Sequence, residues 1–490
     1  MDFHHRFLSY EYEDRYNGFI DIQVHLTPWD HNECHEAFSF RKFSIMSNAR
    51  STWSSRLGFV LASAGAAVGL GAIWKFPYLV GSNGGSAFLF PFIFLTFTVG
   101  LVLLIAELAL GRAGKGSIVT AFTSLGGPHW KAVGYLGVLT GFLVLSFYSA
   151  IGGWTIAYFI NACLGQGLIA DQAQLGAHFG SICGNPVTAI GFQAFFLVLT
   201  AWIVAYGVSR GIERLSKILM PLLFILMLII IVRSLFLPGA MDGIAYLFSW
   251  NPEAFTLNAL LSAMGFTFFS LCLGCGCMLT YGSYLDSKVD LVNSSAWIVF
   301  LTVFSSILGA LMVMPAVFAF GLEPGAGPGL TFVTMPAIFA QMPFGHLFAI
   351  VFYACLLVAA LTSSISMLEL DIAFLQDQLK WSRPKAVVIT TAGLMFIGAF
   401  SALSFGPLAD VKWLGRNFFD WLDYLTSNIS LPIGGLMVAI LVSWLRWDTI
   451  SAYIPGEGNQ KRNAAFYRVL RIGIAIFAPI LVLTVLLTGL

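Results

Sequence analysis

Long apolar runs dominate this chain, at roughly 57–80, 87–110, 132–161, 187–207, 215–237, 256–284, 292–320, 345–375, 385–405, 422–446 and 465–489. At a helical rise of about 1.5 Å per residue, each can cross about 30 Å of hydrocarbon, where every backbone N–H and C=O must be bonded internally. The runs exceed a barrel strand and lack its period-two alternation. The expectation is an all-α polytopic membrane protein with 11 transmembrane helices. A shorter apolar piece near 331–341, after the Gly/Pro-rich run 322–330, reads as a re-entrant or surface helix. Composition closes the alternatives: 58% of the 490 residues are hydrophobic and only 10% charged, against roughly a quarter charged in soluble proteins. That excludes a soluble enzyme, a nucleic-acid binder or a disordered hub.

The net charge of +1 conceals an uneven distribution. Residues 1–45 hold four Lys/Arg, eight Asp/Glu and five of the eight His. No apolar h-region is present there, so this is not a signal peptide. Residues 1–49 read as a polar cytoplasmic extension, or in part as an over-long gene start with Met46 as the working start. Lys/Arg placement orients the rest. Arg50, Arg56, Arg112, Lys115, Lys131, Arg210, Arg214, Lys217, Lys288, Lys380, Arg383, Lys385, Arg446, Arg462, Arg468 and Arg471 all fall on one side, whereas the other has little beyond Lys412 and Arg416. The N-terminus is expected inside and, after eleven spans, the C-terminus outside.

Two spans carry glycine clusters near mid-membrane. The first runs Ala64-Gly-Ala-Ala-Val-Gly-Leu-Gly71 with Pro77 beyond it; the sixth runs Phe268-Phe-Ser-Leu-Cys-Leu-Gly-Cys-Gly276. Either alone could serve close helix packing through small residues. Two such clusters, one opening each group of five spans, fit better with inverted repeats whose discontinuous helices surround a central site. Half-helix amino ends attract a carboxylate, and freed carbonyls attract a cation. Thr362-Ser363-Ser364 adds three consecutive hydroxyls inside an apolar helix. They either bond the preceding turn or help bind a dehydrated Na⁺. Tyr148 has a hydroxyl that could face the site or simply pack in the core. Glu107 and Glu369 are carboxylates at membrane depth, and structural hydrogen bonding is the stronger reading for Glu107. Cys272, Cys275 and Cys277 suit packing and pocket lining better than metal binding, while Cys163 and Cys183 leave a disulfide open.

Trp53-Ser-Ser-Arg-Leu-Gly58, Ala64–Gly71, Lys75-Phe-Pro77, Asn83-Gly-Gly85, Glu107–Arg112, Gly211-Ile-Glu-Arg214, Phe268-Phe-Ser270, Tyr281–Tyr284, Leu361–Ile365 and Leu422–Ser427 together resemble the neurotransmitter:sodium symporter family, in its bacterial LeuT-type branch. The likeness covers about residues 50–490. It implies a 5+5 inverted-repeat fold, with 57–237 and 256–446 as the repeats and 465–489 as an eleventh helix where the family commonly has twelve.

The resemblance also implies site residues. A substrate carboxylate would meet backbone N–H groups around Leu70 and Gly71 and the Tyr148 hydroxyl, and its ammonium the carbonyls of Ala67, Phe269 and Ser270. Val144, Phe269, Cys272, Cys275, Ser363 and Met367 would line an apolar pocket suited to a neutral, hydrophobic amino acid. One sodium site would use Gly65, Val68 and Ala359 carbonyls with the Thr362 and Ser363 hydroxyls. The other is weakened, because Ala72 stands in place of the usual Asn and Thr302 in place of the usual Asn or Asp. The chloride position holds Phe92 and Phe266 in place of tyrosine and glutamine, with Ser270 and Ser306 remaining. No chloride is therefore expected. Lys75 and Asp423 would form an outer ionic gate with Phe269 as lid; Arg50 and Asp377, beside Trp53 and Tyr284, would form an inner latch.

The leading expectation is sodium-coupled amino-acid import across the bacterial cytoplasmic membrane by alternating access, with no bond chemistry. An amino-acid-sensing receptor without concentrative transport is the competing class. Membrane lipid is an expected partner, nucleic acid is not, and homo-oligomerisation stays open.

Overall fold

The computed structural model describes residues 52–169, 172–323, 330–458 and 462–489. The extension expected over 1–49 lies outside the described residues, as does Arg50. Among the described residues the chain is helical, with no β structure beyond an isolated Trp413–Arg416 bridge. Helices α1 (Arg56–Ala67) and α2 (Gly71–Ser82) meet at 45° and together have the length of one span. Next come α3 (Ser86–Gly114), α4 (Pro128–Cys163), α5 (Pro186–Ala205) and α6 (Val208–Leu235), each continuous and long enough to cross. The span expected at 256–284, with its break at Phe268–Gly276, consists of two short helices, α7 (Leu257–Ser270) and α8 (Cys277–Ser283), separated by an unwound segment. Then follow α9 (Leu291–Ala319), the short α10 (Leu330–Gln341) where a re-entrant or surface helix was expected, α11 (Gly345–Leu379), α12 (Arg383–Leu403), α13 (Phe418–Leu445) and α14 (Ala464–Thr484). Nine continuous helices and the bent pair thus have the length and apolarity of spans among the described residues; the remaining crossing of the expected eleven requires counting α7 and α8 as one broken span.

Close backbone approach positions the broken elements. A Cβ added to Gly111 of α3 would strike the Leu279 carbonyl of α8, and one on Gly282 of α8 would strike the Leu108 carbonyl of α3. Only glycine at both positions lets these backbones touch. Helix starts follow local capping: the Ser55 hydroxyl accepts the Gly58 N–H and Thr256 accepts the Ala259 N–H, both at 3.1 Å.

Arginines join the chain segments at one end of the bundle. Arg112 donates to the carbonyls of Tyr453 (2.8 Å), Asp286 (2.9 Å) and Val289 (2.6 Å). Arg446 donates to Leu125 O, Arg462 pairs with Asp290, and Arg383 reaches Val204 O. These contacts gather the loops after α3, α5, α8 and α13, and we refer to this as the basic end.

Candidate substrate and ion site

Both helix breaks face the middle of α4 and α11. At the first, Val68 leaves helical geometry and a Cβ on Gly69 would fall on the Ser363 side chain and 3.1 Å from the Tyr148 hydroxyl. Glycine there lets α1, α4 and α11 converge. The Tyr148 hydroxyl oxygen accepts the Leu70 N–H at 3.2 Å. At the second break Cys272, Gly274 and Gly276 all have positive φ, at 51°, 87° and 90°. Left-handed backbone at a non-glycine residue is disfavoured by about 1 kcal/mol or more, so Cys272 is held there by its surroundings. Glu107 of α3 accepts the Gly274 N–H at 2.6 Å. Its carboxylate thus replaces a backbone partner lost by unwinding, in keeping with a structural role. Glu369 is likewise tied up, by Arg383 and by the Tyr284 hydroxyl at 2.8 Å.

Between the breaks lies a small, mostly apolar pocket. It brings together Ala67, Gly71, Val144, Tyr148, Phe269, Ser270, Cys272, Cys275, Ser363 and Met367, drawn from the two breaks, α4 and α11. Leu70 reaches its polar end through the bond to Tyr148. Four lining residues were not among those expected to line the pocket: Gly141 and Leu431, and Ala66 and Gly69 within the Ala64–Gly71 break. Gly141, Val144 and Tyr148 form one helical stripe, a signal that could have found Gly141; nothing local marks Leu431. Asp371 was also passed over. It lies in α11, eight positions after Ser363, buried and with neither oxygen hydrogen-bonded.

The residues expected to hold sodium meet where α11 crosses the end of α1. Ser363 donates to the carbonyls of Ala66 at 2.9 Å and Gly65 at 3.3 Å, and Thr362 donates to Ala359 O at 3.0 Å. Val68 is the residue where α1 ends. The donor set is neutral carbonyl and hydroxyl oxygen, the chemistry a hard cation prefers.

The expected chloride position is filled with rings. Phe92 and Phe266 lie 5.2 Å apart, and Phe76 packs on them at 5.0 and 5.3 Å. The neighbouring hydroxyls are spent within their own helices: Ser270 on Thr267 O, Ser306 on Thr302 O and Thr302 on Ile298 O. At Ala72 the α9 backbone closes in, since a Cβ on Gly309 would strike the Ala72 carbonyl.

Comparison with known proteins places this geometry. A family model described as the sodium:neurotransmitter symporter family matches residues 50–171 and 186–490. The chain belongs to that family. The symporter is 42% identical over 393 residues to the uncharacterized sodium-dependent transporter YhdH of Bacillus subtilis, covering 80% of this chain and 87% of the relative. It is 34% identical over 460 residues to an uncharacterized sodium-dependent transporter of Haemophilus influenzae, covering 90% and 98%. Among solved structures it resembles the crystal structure of MhsT in complex with L-phenylalanine, at 38% identity and a TM-score of 0.84, covering 90% of this chain and all of that one. The protein is therefore a LeuT-type, sodium-coupled secondary transporter of the membrane and not an enzyme.

In the symporter, groups of contacts flank the cavity on both sides. Away from the basic end, Lys75 lies 3.5 Å from Asp423 and 4.4 Å above the Phe269 ring. Phe269 stands between the cavity and an outer vestibule lined by Lys75, Asn258, Ser262 and Asn428. At the basic end Trp53 donates its indole N–H to Tyr281 O at 3.0 Å and its backbone N–H to Tyr284 O at 3.3 Å. Asp377 accepts the Ser117 N–H; its expected partner, Arg50, lies outside the described residues. A contact the sequence reading missed is Glu213 of α6, which accepts from the Ser54 N–H at 2.7 Å and from the hydroxyls of Ser54 and Ser55 at 2.6 and 2.8 Å. Cys163 and Cys183 are free thiols.

Proposed function

We propose that this symporter imports a neutral, hydrophobic amino acid, with one sodium ion per substrate and no chloride. The cavity carries the substrate class: among the described residues no charged side chain lines it, and its polar atoms cluster where the helices break. A carboxylate entering beside Leu70 N–H and Tyr148 would displace their mutual bond and take a charge-assisted one from each. The ammonium then faces the carbonyls of Ala67, Phe269 and Ser270. A charged substrate side chain would be desolvated among Val144, Phe269 and Met367 with no counter-charge, at several kcal/mol. The phenylalanine bound by the solved relative supports the same class.

Sodium held by Gly65, Val68, Ala359, Thr362 and Ser363 would fasten α1 to α11 in place of the direct Ser363 bonds. Substrate then bridges α4 to the first break and favours closure of Lys75, Asp423 and Phe269 above it. Release requires α1 to swing from the basic end, breaking the Trp53 and Glu213 contacts. With the basic end on the cytoplasmic side of a bacterial membrane, this cycle is import. The phenylalanine cluster at Phe92 and Phe266 and the self-bonded hydroxyls support the absence of chloride, and Ala72 and Thr302 support a single sodium.

Purified protein in proteoliposomes should concentrate one or more neutral amino acids under an inward sodium gradient. Binding without accumulation by folded protein would mark a receptor and overturn the reading.

A further inference from the structure

We infer that a second ligand site, for the headgroup phosphate of an anionic phospholipid, lies at the basic end in the groove between α5 and the start of α6. The groove is open to its surroundings and is lined by Trp202, Ile203 and Tyr206 from the end of α5 and by Arg210, Gly211, Arg214, Leu215 and Ile218 from α6. Its floor is close-packed, because a Cβ on Gly211 would strike the Ile203 carbonyl.

Charge is the first reason. Arg210 and Arg214 are exposed, one turn apart, and neither is ion-paired among the described residues. Among the described residues no carboxylate lines the groove, and nearby Glu213 is engaged by Ser54, Ser55 and Lys217. Like charges at this spacing repel, and a phosphate accepting from both guanidinium forks reverses the sign of that interaction. A zwitterionic lipid would bring its ammonium against the same arginines with no acid to receive it.

Polarity along the groove is the second reason. Arg210 and Tyr206 stand nearest the helix ends, with Arg214 and Trp202 a turn deeper and Ile218 below. The exposed face of α6 continues as Leu222 and Ile225, and that of α5 as Val198 and Phe195. A soluble anion would use only the upper half; a phospholipid uses both, with its acyl chains along the aliphatic stripes. Trp202 and Tyr206 stack edge to face at 5.6 Å and remain 61% and 59% exposed, as expected of rings at headgroup depth. Occupancy would brace the turn whose Glu213 holds the start of α1, tying the lipid to closure of the basic end.

The test uses the full-length protein in detergent, titrated with dioleoylphosphatidylglycerol, dioleoylphosphatidylcholine or inorganic phosphate, and read by native mass spectrometry and thermal unfolding. Phosphatidylglycerol should bind and stabilise selectively. Arg210→Gln with Arg214→Gln should weaken that binding roughly 30-fold, whereas Lys131→Gln with Lys385→Gln should not. Unchanged affinity in the double arginine variant, equal binding of phosphatidylcholine, or equal stabilisation by phosphate alone would each overturn the proposal. If the arginine variant fails to fold, brominated lipids decide the matter in the native protein. The Trp202 contribution, taken by difference with Trp202→Phe, should be quenched more by brominated phosphatidylglycerol than by brominated phosphatidylcholine. Equal quenching refutes the site.

Discussion

Tyr148→Phe removes one oxygen from the centre of the molecule and should weaken amino-acid binding while sparing the fold and the ion. The ring is 2% exposed and stays packed, so no cavity larger than a hydroxyl opens. In the substrate-bound state the lost hydrogen bond goes to a carboxylate, worth about 1.5–3 kcal/mol. The substrate-free state loses something as well, because Leu70 N–H gives up its 3.2 Å bond to the same oxygen, a neutral bond worth about 0.5–1.5 kcal/mol net. Affinity reports the difference, about 1–2 kcal/mol, or roughly 5- to 30-fold. The assay is equilibrium binding of labelled phenylalanine, or of the best substrate from an uptake screen, alongside the sodium-induced thermal shift. Unchanged affinity in folded Tyr148→Phe would refute the carboxylate position. Loss of the sodium shift together with substrate binding would instead place the hydroxyl in the ion site.

Thr362→Ala combined with Ser363→Ala should abolish sodium-dependent stabilisation; persistence of both the shift and transport would show that other oxygens hold the ion. Replacing chloride by gluconate should leave uptake unchanged and reversal potentials should give one sodium per substrate, so a ratio of two with chloride dependence would refute the single-ion reading. Lys75→Gln loses a partly exposed ion pair and a cation–π contact, together about 1–2 kcal/mol. It should speed modification of the cavity thiols Cys272 and Cys275 by an impermeant reagent added outside, in a background lacking Cys34 and Cys163, and substrate should protect them; an unchanged rate would remove Lys75 from the gate.

Helices and their membrane character were legible in the sequence because length and apolarity are local properties: each span satisfies its own backbone, so 87–110 or 345–375 announces itself without a partner. The breaks were legible too, since Ala64–Gly71 and Phe268–Gly276 concentrate glycine where an apolar helix would otherwise continue. Their consequence was less so. The glycines place the break in the run 256–284, but not its form, in which left-handed turns at Cys272, Gly274 and Gly276 divide the span into two short helices. The division stands because Glu107, distant in sequence, accepts the Gly274 N–H.

Family likeness carried residue roles forward, yet Ala66, Gly69, Gly141 and Leu431 entered the cavity lining only through the packing of α4, α11 and α13 around the breaks. The same holds for the rings of Phe76, Phe92 and Phe266 and for the grip of Glu213 on Ser54 and Ser55. By itself, the sequence determined which stretches are helices and where those helices must open, because hydrocarbon imposes that choice on each segment separately. Which oxygens, rings and carboxylates meet at the openings was decided by tertiary structure alone, because those contacts depend on how helices far apart in the chain pack against one another.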